Sequence, residues 1–257
     1  MTDDHLAELL TLDAVMAADY WNAVLDAVRD SAIGVSGAVR RVVDLGSGTG
    51  NGARGLAARF PGAEIVAIDS DEELLAALAA SDERIRPVHA DLDEGWPALS
   101  DVDVTFASMS LHHLGDPERT LGELFAATRP GGVVAAAEFR DPLRVLRDGY
   151  GDDLEGRALS AARHGHPLPE LHADWAARLR AAGFEIVVER RFTIDRPAPL
   201  DGPARRYAEL WLSRLGHGAG DALTPADRDA LEQVVSGRAG DALHLHGERF
   251  LTIGRRP

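Results

Sequence analysis

Cysteine and lysine are both absent from the 257-residue chain. Without thiols there is no disulfide, no thiolate metal site and no cysteine nucleophile. All 27 basic side chains are arginine, against 42 aspartates and glutamates; the arginine bias points to a GC-rich genome rather than to a mechanism. The net charge of −15 argues against a nucleic-acid partner, because a phosphate backbone is held by a basic surface that releases its counterions. Long apolar runs are missing too. The first residues, Met1-Thr2-Asp3-Asp4-His5, lack the basic-then-apolar layout of a signal peptide, so no membrane contact and a cytoplasmic location are expected.

What is present is an ordinary globular composition, 45% hydrophobic and 27% charged, in a chain long enough to bury a full core. One domain over 1–257 is expected, with a helical cap over 1–37, a ligand-binding core over 38–140, and insertions over 141–172 and 196–247.

The chain is organised around Val42-Val43-Asp44-Leu45-Gly46-Ser47-Gly48-Thr49-Gly50. A short β-branched apolar run followed at once by glycines reads as a buried strand turning tightly into a helix, whose N-terminus faces whatever ligand sits there. Spacing separates the ligands. A dinucleotide fingerprint needs its third glycine three residues after the second. Here Gly46 and Gly48 are followed by Asn51, so the fingerprint fails in register. The literal match from Gly50 to Gly55 starts where the helix should already be running. An NAD-dependent oxidoreductase is therefore the competing reading, and a non-catalytic binding protein a second one.

The D-L-G-S-G-T-G form resembles the first motif of class I S-adenosylmethionine (SAM)-dependent methyltransferases, and further motifs of that family follow in order over Val39–Phe139. The resemblance implies a doubly wound, Rossmann-like α/β fold. Its sheet would have seven mainly parallel strands, the last antiparallel, with helical cap insertions. It implies SAM as cofactor, a small-molecule acceptor, and methyl transfer by in-line displacement that releases S-adenosylhomocysteine. Asp44, Gly46, Ser47, Gly48 and Gly50 would line the cofactor.

The remaining candidates follow along the chain. Tyr20 and Trp21 lie on an N-terminal helix; they either pack in the core or close over the cofactor, as N-terminal helices do in many small-molecule members of the family. Asp69 ends the second strand, where a carboxylate suits the two hydroxyls of a ribose in NAD and SAM enzymes alike. Asp69, Ser70 or Asp71 is expected to cap the next helix, and Ser70 is counted with the cofactor set. The family resemblance places Asp91 beside adenine, accepting from its amine, with the Leu92 N–H donating to a ring nitrogen. Asp93 and Glu94 are expected to be a solvated turn.

Ser108 ends the fourth strand, and Ser108-Met109-Ser110-Leu111-His112-His113-Leu114 leaves its carboxyl edge, where open parallel sheets bind ligands. The S-x-L-H-H-L pattern resembles the fourth-strand motif of trans-aconitate-type and quinone-biosynthesis-type methyltransferases. A base is needed only if the acceptor must lose a proton, and His113, then His112 and Glu138, are the candidates. Glu138 and Arg140 are equally readable as an ion pair. Adjacent histidines lack the i, i+4 spacing of a helical metal pair, so no metal is expected. His164, His166 and His172 are weaker pocket candidates. Tyr207, Leu210, Trp211 and Leu215 share a helix face expected to serve the core or a homodimer contact.

Overall fold

The computed structural model describes residues 3–33, 37–139, 141–163 and 173–257. Two helices come first, α1 (Asp3–Met16) and α2 (Ala18–Ile33). An alternating series follows: β1 (Arg41–Leu45), α3 (Asn51–Arg59), β2 (Glu64–Asp69), α4 (Glu72–Ser81), β3 (Ile85–His89), β4 (Val102–Ser108), α5 (Pro117–Ala127) and β5 (Thr128–Glu138). Then come β6 (Arg144–Leu146), α6 (Leu154–Arg163), α7 (Trp175–Ala181), β7 (Glu185–Pro197), α8 (Gly202–Ala219), α9 (Pro225–Val235) and β8 (Leu243–Arg255). The chain divides into two compact units. The larger comprises Asp19–Arg140, Glu170–Phe192 and Arg249–Pro257; the smaller comprises Met1–Ala18, Asp141–Pro169 and Thr193–Glu248.

The larger unit is built on parallel strands in the order β3-β2-β1-β4-β5, with the carboxyl half of β8 antiparallel to β5. Leu45, Asp69, His89, Ser108 and Glu138 therefore end side by side along one edge. Alternation along β1 sorts its residues between the faces. Leu45 packs among Leu121 and Leu124 of α5 and Trp175 and Leu179 of α7. Asp44 points the other way, toward α3. On that face α2 buries Tyr20, Val24, Leu25 and Val28, and Trp21 sits edge-on to Phe106 of β4. Helix starts follow local chemistry. Asp71, Asp116 and Asp174 each accept a backbone N–H of the first turn they precede, with Pro117 opening α5, satisfying donors that helices leave unpaired. Of the expected caps for α4, Asp71 does the work.

In the smaller unit α8 packs against α1, α6 and α9. Tyr207, Leu210 and Leu215 are buried there, so the stripe forms that unit's own core. β6 pairs antiparallel with the amino half of β8.

Among the described residues the sheet has eight strands rather than seven. The extra one, β6, and helix α6 fall in the segment 141–172, where the sequence pattern is irregular; their cohesion comes from a buried glutamate, Glu155, and not from periodicity. The fifth strand also begins earlier than its apolar run. Gly131 N–H donates to Arg256 O and Arg256 N–H to Gly132 O, which carries the ladder through the Arg129-Pro130-Gly131-Gly132 turn.

Candidate functional site

The turn after β1 has a backbone that side chains oppose. Gly46, Gly48 and Gly50 all have positive φ (66°, 50° and 80°), a region costly for residues with a Cβ. At Gly46 space is short as well: an added Cβ would lie 2.4 Å from Ser110 Cβ. The turn is then fastened to β2. Gly46 and Ser47 N–H groups donate to Ile68 O at 2.9 and 3.0 Å. The Gly48 N–H donates to Asp69 Oδ2 at 2.7 Å, while Asp69 Oδ1 accepts from the Asp71 N–H at 3.0 Å. Each carboxylate oxygen keeps a lone pair beyond these bonds. The Ser47 and Ser108 hydroxyls are buried without a hydrogen-bond partner.

Asp44 supports the turn from below. It accepts the Ala53 N–H at the start of α3, and burial, its largest influence, pushes its carboxyl up to about 7; Asp69 adds to the rise and Arg54 opposes it. Its Oδ2 has no partner and lies where a Cβ on Gly52 would come within 2.7 Å. Asp44 is thus placed under the turn, on α3.

Asp91 Oδ1 accepts the Asp93 N–H at 2.9 Å, in an exposed turn that follows β3. The Leu92 carbonyl accepts from Arg119 at 2.6 Å. The Ser70 carbonyl accepts from the His89 ring Nε2–H at 3.1 Å. Asp93 has more to do than a solvated turn requires: its Oδ1 accepts the Gly115 N–H at 2.9 Å, tying the β3 exit to the segment after the histidines.

The β4 exit is held by one carboxylate. Glu138, 1% exposed, accepts the Ser110 and Leu111 N–H groups on Oε1 at 3.0 and 2.9 Å, and its Oε2 lies 2.6 Å from His112 Nδ1. The Ser110 hydroxyl donates to Leu45 O at 2.8 Å, so the loop is tied to β1 as well. Met109, just before it, has φ of 55°, a strained conformation for a non-glycine residue. His112 is buried at 3% exposure; its ring centroid lies 4.2 Å from that of His113 and 4.8 Å from that of Phe139. His113 is the ring that solvent reaches. Its pKa is lowered, by partial burial first and by His112 second, with Glu138 opposing. The two histidines therefore divide their roles: His112 is enclosed and His113 faces outward.

Tyr20 is buried, edge-on to Phe192 at 5.1 Å, with the Arg249 guanidinium 5.2 Å over its ring. The structure gives it a packing role in the core. Arg140, His164, His166 and His172 lie outside the described residues. A cavity of ≈ 270 Å³ opens at the end of β5, lined among others by Glu138, Phe139, Trp175, Arg190, Phe250 and Thr252. Neither the Glu138–His112 pairing nor the Asp93–Gly115 tie is visible in local spacing; each joins residues more than 20 positions apart.

The profile of a family described as a methyltransferase domain matches residues 42–132. The chain is 32% identical over 192 residues to a demethylmenaquinone methyltransferase of Clavibacter sepedonicus, covering 65% of this chain and 76% of that one. It is 35% identical over 132 residues to a trans-aconitate 2-methyltransferase of Azoarcus sp. (strain BH72), spanning 50% of this chain and 51% of the relative. Among solved structures, phosphoethanolamine N-methyltransferase 2 of Haemonchus contortus, in complex with phosphomonomethylethanolamine and S-adenosylhomocysteine, superimposes with a TM-score of 0.54. Identity is 15%, covering 96% of this chain and 56% of that one; such a likeness concerns the fold.

Proposed function

The chain belongs to the class I SAM-dependent methyltransferases, and we propose that its acceptor is a small molecule, bound at the carboxyl edge of β4 and β5 beside the cofactor. The observation that carries this reading is the meeting of two systems at one edge. The glycine turn is fastened to Asp69, and the Ser110–His113 segment is fastened to both Leu45 and Glu138.

The residues present fit the cofactor. The Cβ-free turn gives close backbone approach, Asp69 retains acceptor capacity for ribose hydroxyls, and the Ser47 and Ser108 hydroxyls are buried without partners. In this reading Gly46, Ser47, Gly48, Gly50 and Ser70 line the cofactor, with Asp91 and Leu92 toward its adenine. Asp44 acts through the turn it supports. The bound cofactor supplies an electrophilic methyl group on a sulfonium centre.

The chain's own contribution is binding, alignment and exclusion of water, which supply much of the acceleration when two reactants meet in line. His113, with its lowered pKa, is neutral near pH 7 and offers a nitrogen lone pair to a proton leaving the acceptor. The cavity beside Phe139 and Trp175 is near the lower end of the ~300–1,000 Å³ typical of ligand pockets. The names of the relatives, one acting on demethylmenaquinone and one on trans-aconitate, support a small acceptor without choosing it. The −15 net charge opposes a nucleic-acid acceptor.

Calorimetric titration with SAM, S-adenosylhomocysteine and NAD, on the parent and on Asp69→Ala, tests the cofactor assignment. Binding of both sulfur nucleosides, weakened by the substitution and without an NAD signal, is expected. A methyl-transfer screen over small organic acids, quinols and amines, with RNA as a control, then tests the acceptor class. Turnover on RNA alone would overturn it.

A further inference from the structure

Resting on the methyl-transfer reading, we propose that Glu138 is a positioning residue: it sets the Ser110–Leu111 turn against the glycine turn, fixes the ring of His112, and so presents His113. It does not itself exchange a proton with the acceptor.

Both oxygens of the carboxylate are engaged. Oε1 accepts two consecutive backbone N–H groups and Oε2 faces an imidazole nitrogen, all within 3.0 Å, and the residue is 1% exposed. A general base must reach the proton it removes; Glu138 borders the cavity, but its carboxylate is enclosed by the groups it holds. What it does control is placement. Ser110 is held through its N–H by Glu138 and through its hydroxyl by Leu45 O, and its Cβ fills the space that Gly46 leaves. A displacement of Ser110 would be felt at the cofactor turn. The second oxygen acts on the histidines. A carboxylate can only accept, so the proton of His112 stands on Nδ1. The ring so fixed lies against that of His113, centroids 4.2 Å apart and planes tilted by 40°, and Glu138's charge is one of the influences on His113.

Two substitutions separate these functions. In Glu138→Gln the amide oxygen must remain toward Ser110 and Leu111, because an NH₂ group cannot face two donors. The NH₂ then faces His112 and needs an acceptor there, so Nδ1 gives up its proton. Glu138→Ala removes both functions. Nitrogen-15 NMR of the full chain reads the imidazole protonation sites and the His113 titration, and calorimetry with SAM reads the turn.

For Glu138→Gln, a loss of the His112 Nδ1–H signal and a further fall in the His113 pKa are expected, with SAM affinity held within about threefold. For Glu138→Ala, SAM affinity is expected to weaken about tenfold or more, as two buried N–H groups lose their acceptor. A merely structural glutamate would leave the histidine signals of the Gln variant as in the parent, and that result overturns the proposal. Unchanged SAM affinity in Glu138→Ala overturns it too. Should the Ala variant fail to fold, Ser110→Ala replaces it, cutting only the tie to Leu45; a several-fold weaker SAM affinity is expected, and parental affinity overturns the coupling. If the parent itself binds no SAM, the cofactor assignment fails, and the NMR result still decides whether Glu138 positions the histidines.

Discussion

Each of the two units is fastened by a buried glutamate, and the two clamps are nearly the same. Glu155 in the smaller unit is 0% exposed. It accepts the Val145 and Leu146 N–H groups and the Trp211 indole N–H at 3.0 Å, with Arg144 Nε at 3.3 Å. Glu138 in the larger unit likewise takes two consecutive backbone N–H groups and one ring nitrogen. The difference lies in the ring. An indole N–H neither titrates nor tautomerises, whereas an imidazole does both. Burial and hydrogen bonds on both oxygens therefore do not by themselves distinguish a structural carboxylate from one that bears on chemistry. What the partner can do distinguishes them.

The largest effect that would sharpen this contrast is Glu155→Ala. It strands two buried backbone donors and an indole N–H, and takes from the partly exposed Arg144 one of its two carboxylate partners. A loss of about 3–5 kcal/mol is expected, from the penalty of three donors left without an acceptor. Denaturant unfolding measures it. SAM affinity should stay near the parental value, since the residues assigned to the cofactor lie in the larger unit. A large loss of SAM affinity at unchanged stability would break the comparison, because Glu155 would then bear on the site.

Next in size is Gly46→Ala. Positive φ and a Cβ placed 2.4 Å from Ser110 Cβ together predict a cost of about 2–4 kcal/mol, from left-handed backbone strain and overpacking. Unlike the loss at Glu155, this one should be accompanied by loss of SAM binding. A variant that melts lower but binds SAM normally would mean that the turn tolerates displacement of Ser110.

A third test concerns Asp44, a buried acid whose environment is less complete than that of either glutamate. Folded, it holds its proton up to about pH 7, against a reference value of 3.8. Between those values the folded chain binds a proton that the unfolded chain has released, so stability present at low pH is lost as pH rises. The slope is at most about 1.4 kcal/mol per pH unit. Asp44→Asn should flatten the fall in melting temperature between pH 5 and 7 and gain on the parent at pH 8. An unchanged slope would show that Asp44 is ionised beneath α3.

How much of this was legible in the sequence differs between the two units for a physical reason. The glycine turn could be read because its demand is local: positive φ at Gly46, Gly48 and Gly50 is written in residue type, and the strand and helix beside it show their own periodicity. The doubly wound order of the larger unit followed from the same alternation. Glu138 and His112 could each be picked out as candidates at a sheet edge, but not as a pair. Their contact depends on the β4–β5 register, Ser108 opposite Ala137, and on side-chain direction. β6 and α6 were illegible because the segment is charged and their anchor, Glu155, looks like a surface residue until the backbone N–H groups converge on it. Tyr20 shows a further limit: on its helix, the spacing that suits a lid also suits the core against Phe192.

The smallest effect, and the one that bears most directly on the contrast between the two clamps, is at His113. Partial burial and the neighbouring His112 ring lower its pKa below 6.5, and Glu138 opposes them without prevailing. Below 6.5 the unfolded chain binds a proton that the folded chain resists, so stability rises with pH across that window; it is complete above the unfolded value and lost as pH falls. His113→Gln removes the group. Its melting temperature should match the parent's above pH 7 and decline less steeply toward pH 5. The difference should be modest, since solvent reaches the ring and screens it. A steeper decline than the parent's would mean that Glu138 holds His113 protonated in the folded chain. The carboxylate would then act on the outer histidine chiefly by charge, and the likeness of its clamp to that of Glu155 would stop at geometry.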